Sequence, residues 1–514
     1  MNFIRGVEPR FETDLLLPVQ KQMELIVANK LPATWLLQFD ALVSGPFVDF
    51  LKVHMPTGHE VGFWFEMNQK LCDAAGVEWR GRPGYEWDYS PPVAFTIGYT
   101  PKERIALAEA AMSGFEKVWS KKPMSVASWN LDSITAQHLV EKHGVQAFAV
   151  CRDQIATDGF TIWGAPIAGY YPSKSNLWSP AVNPENQISA PVFRMLGQDP
   201  VYYYDGRTPL PDGRFVSQPD TLEPVWISGQ SKQFVDLFLE MIAETPSLGF
   251  AYAQMGQENS FSWPDMAAAF PFQMEALAKL QASGRAHVET MGDSGRRFIK
   301  AFPATPPQAQ IQLSDPFGNT KPAQGSIWYQ SHCYRANLHL CGDLPFLRDL
   351  TVYSDSNPQP YLHDATREHE VEQRMPAVLD GFHWSKTPGA TTDPGAGGFL
   401  RFGDTPVRLD GRPAVTERGG DLDVQLTTKD GPGISVRFAE RSLSFFTTGR
   451  LSLDFRWDPA KTAMTGIDKQ RVRFSWKGFD YSIEVAGGEP RATQDGWSVT
   501  APEGRLRLVL AQAQ

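Results

Sequence analysis

The ten residues TWLLQFDALV, at positions 34–43, form a short apolar run that is interrupted by Gln38 and Asp40. A run of this length and composition predicts a buried strand with polar side chains towards its carboxyl end. Apolar residues at helical spacing precede it over 14–30, and a second helical segment follows over 47–54. The stretch therefore predicts a strand with a helix on either side.

The same alternation of strand and helix patterns continues as far as residue 302. Further strands are predicted at 60–67, 124–129, 146–150, 192–196, 248–255 and 287–290, and further helices at 101–120, 132–143, 232–244 and 265–282. Because each crossover helix has to cover an apolar strand face, this order predicts an α/β fold with a (β/α)7-like barrel of parallel strands. A doubly wound open sheet is the alternative, although the chain has no GxGxxG or GxxxxGK[ST] loop.

The sequence changes in character after Phe302. The linker 303–308 is rich in Pro and Ala, and helical periodicity largely disappears beyond it. Apolar and polar residues then alternate between Gly, Asp and Pro turns at 424–427, 434–438, 451–457, 472–476, 481–485 and 506–510. This pattern is typical of an antiparallel β-sandwich. We therefore predict a catalytic barrel domain over 1–305 and an accessory β-sandwich domain over 306–514.

Composition narrows the class of partner. The chain has 514 residues, a formal charge of -10 and no cluster of Lys and Arg, which argues against nucleic acid or an anionic membrane and favours a neutral substrate. The four cysteines form no CxxC pair, so no zinc cluster is predicted. No run of eighteen apolar residues and no signal-peptide pattern is present, which predicts a cytoplasmic protein, or an exported one whose signal peptide is absent from this chain. Homo-oligomerisation is left open.

Polar residues that directly follow predicted strands are the candidates for chemistry, because the carboxyl ends of parallel barrel strands meet on one face. They are Asp40, Glu66, Asp132, the pair Arg152-Asp153 and the triplet Gln257-Glu258-Asn259.

Glycosidic bond cleavage needs one protonated carboxyl group and one ionised carboxylate. Arg152 would hold its neighbour Asp153 ionised, as base or nucleophile. Glu258 lies between an apolar segment and Phe261-Ser262-Trp263, so desolvation would keep it protonated, as the acid. Two alternatives stay open: Asp132 opens a helix and is equally suited to an N-cap role, and Glu66 has the arginines of the following loop, Arg80 and Arg82, as structural partners.

Aromatic residues accompany these acids. Such rings either stack on sugars or fill the barrel and its rim. Asp158 belongs to a predicted hairpin over 157–164, where it faces a ligand or caps a turn. The predicted substrate-binding set is Trp64, Trp129, Arg152, Asp158, Trp163, Tyr171, Gln257 and Asn259.

Several of these segments together resemble a known family. They include Trp129-Asn130-Leu131-Asp132, the runs 151–164, 170–174 and 193–197, and Gly62-Phe63-Trp64-Phe65-Glu66, with further segments at 82–87, 257–261, 328–329 and 334–335. The chain resembles bacterial proteins of a glycoside hydrolase/deacetylase family with a seven-stranded β/α barrel. The resemblance covers most of the chain and implies a carbohydrate substrate, with activity as a glycosidase or a deacetylase.

The deacetylase branch would imply an Asp-Asp pair on the first strand and an HxxxH pair that together hold a divalent metal ion. Here Asp40 is followed by Ala41, and His54 and His59 are five residues apart. The sequence therefore favours a glycosidase that uses two carboxylates and needs neither a metal nor another cofactor. A metal-dependent carbohydrate deacetylase and a non-catalytic carbohydrate-binding protein are the alternatives.

Overall fold

The computed structural model describes residues 1–151, 154–156, 168–195, 208–209, 215–216, 222–244, 248–313, 323–369, 371–386 and 395–511; at 154–156, 208–209 and 215–216 it describes the backbone alone. The helices of these ranges lie in the first part of the chain. They are α1 Leu16–Ala28, α2 Phe39–Val43, α3 Gly45–His54, α4 Gln69–Ala75, α5 Pro91–Ala94, α6 Pro101–Trp119, α7 Ser133–His143, α8 Ile227–Gln230, α9 Lys232–Glu244, α10 Trp263–Met266, α11 Phe270–Ala282 and α12 Met291–Ala301.

Strands alternate with these helices. They are β1 Asn2–Ile4, β2 Thr34–Leu37, β3 Glu60–Trp64, β4 Ser125–Ala127, β5 Ala147–Val150, β6 Gln154–Ala156, β7 Gly169–Tyr170, β8 Pro172–Ser173, β9 Asn176–Pro180, β10 Val192–Arg194, β11 Thr208–Pro209 and β12 Phe215–Val216.

One sheet organises this part of the molecule, in the order β1-β2-β3-β4-β5-β10-β7. The first six of these strands are parallel, and β7 adds to β10 in the antiparallel sense. The parallel strands follow one another in chain order, whereas a doubly wound sheet reverses its order at a switch point. The topology is therefore consistent with a barrel and disfavours the open-sheet alternative.

The segment 250–259 packs against strands from both sides of this sheet. The ammonium group of Met1 donates to the carbonyl of Met255 at 2.7 Å, and the Asn259 amide donates to the carbonyl of Phe3 at 3.1 Å. On the other side, the rings of Tyr252 and Phe193 stack at 4.4 Å. The segment thus contacts both β1 and β10.

Four local predictions need correction. Residues 39–43 form the short helix α2 rather than the end of a strand, and residues 263–282 form two helices, α10 and α11. The expected strand at 248–255 forms no regular ladder of hydrogen bonds with a neighbouring strand, and its aromatic rings pack on β10. Gly256, with φ +145°, lies where a Cβ would collide with the Met1 carbonyl. The expected strand at 287–290 is the loop that leads into α12, with Thr290 as its N-cap.

Helix α6 shows how local sequence sets an element boundary. Thr100 accepts a hydrogen bond from the Glu103 amide, and the Glu103 carboxylate accepts one from the Thr100 amide at 2.7 Å, which completes a capping box ahead of Pro101. We expect Thr100→Ala to lower the free energy of unfolding by about 1 kcal/mol, because the cap acceptor is lost. Urea titration measures this, and Thr100→Ser, which keeps the hydroxyl, is expected to retain most of the stability.

The second part of the chain is antiparallel β structure. Its strands are β13 Gln308–Gln312, β14 Gln324–Gln330, β15 Tyr334–Cys341, β16 Leu344–Val352, β17 Val371–Gln373, β18 Ala377–Asp380, β19 Gly397–Phe402, β20 Thr405–Pro406, β21 Ala414–Arg418, β22 Asp421–Leu426, β23 Ile434–Ala439, β24 Ser442–Phe446, β25 Leu451–Arg456, β26 Met464–Asp468, β27 Arg471–Trp476, β28 Phe479–Ala486, β29 Glu489–Thr493, β30 Gly496–Ala501 and β31 Arg505–Val509. A ten-stranded sheet contains β13 to β16 with β18 to β20, β25, β29 and β30, and an eight-stranded sheet contains β21 to β24, β26 to β28 and β31.

Two main hydrophobic cores correspond to this division. One surrounds the parallel sheet and the other contains apolar side chains from both antiparallel sheets, such as Phe455 of β25 and Phe474 of β27. The two parts also contact each other, since the Arg104 guanidinium of α6 donates to the carbonyls of Tyr361 and Leu362. Among the described residues, no helix combines the length and apolar character needed to cross a membrane.

Candidate active site

Arg5 is the centre of a buried ionic cluster at the carboxyl ends of the strands. It directly follows β1 and is almost fully buried. Its Nη2 lies 3.4 Å from Oε2 of Glu258 and 3.7 Å from Oε2 of Glu66, while its Nη1 lies 3.4 Å from Oε2 of Glu8. Arg10 also pairs with Glu8, at 2.5 Å. One guanidinium group thus joins three carboxyl groups from separate segments.

Trp87 holds this guanidinium from one side. The Arg5 Cζ lies 3.6 Å from the centroid of the Trp87 ring, a cation–π contact in a site closed to solvent. The indole Nε1 of the same residue donates to Glu66 Oε2 at 3.1 Å, and Gln38 Nε2 donates to that oxygen at 3.3 Å. These contacts fix both the arginine and the Glu66 side chain.

Glu66 has an unusual protonation equilibrium. Burial raises its pKa to about 7; the nearby Arg5 charge opposes this rise, and the Glu258 charge adds to it. Its Oε1 is buried, with no hydrogen-bond partner within the described ranges. The Glu66 carboxyl group therefore holds its proton close to neutral pH.

Glu258 stands at the more open side of the cluster. Its side chain is 10% exposed to solvent, and its Oε1 accepts a hydrogen bond from the Ser260 hydroxyl. It lines a small cavity together with Trp64, Trp129 and Gln257. This places one carboxylate of the cluster at the surface of a pocket.

The cavity has an aromatic wall. The rings of Trp64 and Phe3 stack at 4.0 Å, and Trp129, which is half-buried, meets Trp64 edge to face at 5.2 Å. Gln257 also lines the cavity, and its Nε2 donates to Glu223 Oε1 at 3.3 Å. Two predicted substrate-binding tryptophans and Gln257 thus lie around Glu258.

Asp40 is buried close to this cluster. Its Oδ1 accepts from the Ala41 amide at 2.7 Å in the first turn of α2. Burial raises its pKa to about 6, against the opposing effects of backbone hydrogen bonds from Gly6 and Ala41 and of the Arg5 charge. Neither Asp40 nor Glu66 lines the cavity, but Glu66 contacts Arg5, whereas Asp40 forms no ion pair among the described residues, so its position favours a supporting role.

Asp132 has the N-cap role that the sequence left open. Its Oδ1 accepts from the Thr135 amide at 3.0 Å and its Oδ2 from the Thr135 hydroxyl at 2.6 Å, at the start of α7. The carboxylate also pairs with Arg104 at 3.3 Å, and both side chains are fully buried. Because its oxygens are engaged in these structural contacts, we remove Asp132 from the catalytic candidates.

Two predicted binding residues have structural contacts instead. The Tyr171 hydroxyl donates to the Phe302 carbonyl at 2.8 Å, and its ring packs against Phe298 of α12. Asn259 is fully buried; its Oδ1 accepts from the Arg5 amide at 2.8 Å, and its Nδ2 donates to the Arg5 carbonyl at 2.9 Å. Asn259 therefore positions the backbone that carries Arg5, and Tyr171 is removed from the substrate-binding set.

Other candidates divide into two groups. Arg152, Asp153, Asp158 and Trp163 lie outside the described residues, so the pairing of Asp153 with Glu258 stays a prediction. The alternative partners of Glu66 are engaged elsewhere, since Arg80 pairs with Glu103 and Arg82 with Asp88, each at 2.6 Å.

The sequence interpretation missed Arg5 and Trp87. Arg5 follows the short buried strand β1 just as Glu66 follows β3, so the same rule would have found it had this strand been recognised. Trp87 belongs to a long irregular segment, and only its presence in the family-like motif at 82–87 marked it.

A metal centre of the deacetylase type does not fit the described residues. Ala41 stands beside Asp40 where the second aspartate of the pair would be, and Oδ1 of Asp40 accepts a hydrogen bond from the Ala41 amide. His54 and His59 precede β3 and lie towards the opposite end of the sheet, where His59 Nδ1 accepts a hydrogen bond from Trp35 at 3.2 Å. The chemistry proposed below therefore uses no metal ion at this site.

No protein-family model matches the chain, and no curated protein matches it. Among solved structures it is similar to a protein from Parabacteroides distasonis described as a "putative glycoside hydrolase/deacetylase", with a TM-score of 0.54 and 17% identity over 71% of this chain and 84% of that chain. A protein from Mycobacterium smegmatis described as a "putative polysaccharide deacetylase" aligns with a TM-score of 0.32 and 12% identity, over 57% of this chain and 80% of that chain. The likeness to the first protein concerns the fold, and it agrees with a mixed α/β part followed by large antiparallel sheets.

Proposed function

We propose that this protein is a carbohydrate-acting hydrolase that cleaves a glycosidic bond with Glu258 and Glu66 at the carboxyl end of a (β/α)7-like barrel. The observation that carries the proposal is the contact of both carboxyl groups with Nη2 of Arg5 in a desolvated site. The fold similarity to the Parabacteroides distasonis protein, whose description names glycoside hydrolase activity, supports the carbohydrate class.

The contacts suggest a different role for each carboxyl group. Glu258 has the Arg5 guanidinium at 3.4 Å from its Oε2 and the Ser260 hydroxyl donating to its Oε1, and these surroundings suit a nucleophile or water-activating base. Glu66, with a pKa of about 7, suits the acid that protonates the leaving oxygen. This reverses the role that the sequence alone suggested for Glu258, because the Arg5 contact was not foreseen.

Charge balance within the cluster agrees with these roles. In the ion pairs that join Arg5, Arg10, Glu8 and Glu258, two guanidinium groups face two carboxyl groups, so a protonated Glu66 adds no unpaired charge to these pairs. Because Oε2 of Glu66 and Oε2 of Glu258 contact the same nitrogen, these atoms are at most roughly 7 Å apart, an upper limit that falls within the ~5 to 9 Å range of paired carboxyl groups in glycosidases. Spacing and protonation therefore both suit two-carboxylate hydrolysis.

The substrate-facing surface suits a neutral sugar. The half-buried Trp129 offers an aromatic ring next to Glu258, the buried Trp64 packs behind it in the cavity wall, and Gln257 adds an amide. Aromatic rings pack against the apolar C–H faces of sugars while amides bond to hydroxyl groups. We therefore propose Trp64, Trp129 and Gln257 as substrate-binding residues.

The direct test is a panel of p-nitrophenyl glycosides of neutral hexoses and pentoses, with acetylated sugars alongside, assayed with and without a chelator. We expect nitrophenol release from at least one glycoside, unchanged by the chelator. Release of acetate alone, abolished by the chelator, would establish the deacetylase instead. Sugar binding without turnover of any substrate would establish the carbohydrate-binding protein.

The pH dependence tests the role of Glu66. If protonated Glu66 is the acid, kcat/KM is expected to be level just below its pKa of about 7 and to fall about tenfold per pH unit above it. Glu66→Gln is expected to lose about 10²-fold in activity and this basic limb together. A 2,4-dinitrophenyl glycoside, whose leaving group needs no proton, should lose far less in the same variant. A basic limb that persists unchanged in Glu66→Gln would exclude Glu66 as the acid.

A further inference from the structure

Helices α6 and α7 bring three side chains with metal-binding atoms together on the outer surface of the α/β part. Oε1 of Glu109 lies 2.6 Å from Nε2 of His138 and 2.9 Å from Nε2 of His143. One ligand atom from each of the three side chains falls within 4.8 Å of the others, and no second group of this kind occurs among the described residues. The three residues converge on one point from two helices.

We propose that Glu109, His138 and His143 form a binding site for a divalent transition-metal ion of the zinc type. Two imidazole nitrogens and one carboxylate oxygen are preferred zinc donors, and a water molecule completes a tetrahedral site. With metal–ligand bonds of about 2.0–2.1 Å, ligand atoms lie roughly 3.3 Å apart. The two Glu109–histidine spacings need to widen by less than about 1 Å, a change within reach of rotation of the half-exposed Glu109 side chain, and the ligand atoms of the two histidines lie within 4.8 Å of each other.

Burial and access also suit an ion. The imidazole side chains retain 17% and 8% of their exposure for His138 and His143, so helix packing holds their positions. Glu109 is about half exposed and borders a groove between α3, α4 and α6. An ion therefore has an open approach from the carboxylate side, while the two histidines are already placed.

The position of the site indicates its effect. His143 is the last residue of α7, and the chain passes from it through Gly144 to the start of β5. The group thus lies towards the amino-terminal ends of the strands, whereas the Arg5 cluster lies at their carboxyl ends. In β/α barrels, residues at the amino-terminal ends of the strands contribute to stability, whereas catalytic residues lie at the carboxyl ends. A bound ion would join α6 to α7 and stabilise the folded chain without taking part in the proposed hydrolysis.

The test uses the full chain without an affinity tag, stripped with a chelator and then dialysed against Zn²⁺ at low concentration. We expect one zinc per chain by elemental analysis, a raised melting temperature, and the visible absorption of tetrahedral Co²⁺ when cobalt replaces zinc. The double variant H138Q/H143Q is expected to bind at least tenfold more weakly and to show neither effect. His287→Gln, which removes an exposed histidine paired with Glu289, is the control and should behave like the wild type.

Equal metal content and equal stabilisation in the wild type and in H138Q/H143Q would overturn the proposal, as would a wild type that binds no zinc. Glu109→Gln changes one half-exposed carboxylate and supplies the same comparison where the double variant does not fold. Hydrolase activity is a separate readout, since loss of the zinc site is expected to leave turnover at low temperature unchanged.

Discussion

Glu258→Gln is expected to lower kcat on the best glycoside substrate by about 10³- to 10⁴-fold, with the fold retained because Arg5 keeps its contacts with Glu8 and Trp87. Glutamine has nearly the same shape and still accepts a hydrogen bond from Ser260, but it cannot act as a nucleophile or a base. Steady-state kinetics of the variant and the wild type, with circular dichroism to confirm folding, measures the effect. If the chemistry alone is affected, KM should change much less than kcat.

The matched control is Glu275→Gln, the same substitution at an exposed position of α11, for which we expect wild-type kinetics. Asp153→Asn belongs in the same series, because the sequence proposes Asp153 as the ionised partner. Full activity in Glu258→Gln would remove the central element of the proposed mechanism. Loss of activity in Asp153→Asn together with normal activity in Glu66→Gln would instead favour the pair Asp153 and Glu258.

The periodic elements of the α/β part could be predicted because their signals are local. Helix α9 spans Lys232–Glu244 as its apolar spacing indicates, and α6 begins at the capping box formed by Thr100 and Glu103. The N-cap geometry of Asp132 also follows from its position ahead of a helical pattern. In these cases the decisive interactions lie within a few residues along the chain.

Short elements escaped prediction for a related reason. Strand β1 has three residues, too few to show a period, and α2 is so apolar that its five residues continue the pattern of β2. Missing β1 concealed Arg5, and merging α2 with β2 placed Asp40 at a strand end instead of in the first turn of a helix. Periodicity cannot separate a buried helix from a buried strand at such lengths.

The ionic cluster itself depends on contacts between distant segments. Arg5, Glu66 and Glu258 are far apart in sequence, and Trp87 reaches them from an irregular segment. The sequence pattern could select each acid as a polar residue at the end of a strand or segment. It could not show which basic residue each acid contacts. The raised pKa of Glu66 follows from burial together with the charges of Arg5 and Glu258, and so it requires the three-dimensional arrangement.

Arg5→Met is expected to lower the free energy of unfolding by about 3–5 kcal/mol, because it leaves buried carboxylates without their counter-charge. The substitution keeps an apolar chain of similar length but removes the contacts with Glu258 and Glu8 and the stacking on Trp87. Since the Arg5 charge lowers the pKa of Glu66, its removal raises that pKa further. The folded variant then keeps the Glu66 proton up to a higher pH than the folded wild type does. The free energy of unfolding that the substitution removes therefore grows as the pH rises through about 7 and beyond.

Urea titrations at pH 5 and pH 8, followed by tryptophan fluorescence, measure both the size and the pH trend of this effect. Arg10→Met is the matched control: its guanidinium is a quarter exposed and pairs with Glu8, so its loss should cost about 1 kcal/mol. Adding Glu258→Gln to Arg5→Met should recover part of the stability, because the neutral amide no longer requires a buried cation. Additive effects of the two substitutions would show that Arg5 does not stabilise the Glu258 charge, and the ionised role of Glu258 would then lose its physical basis.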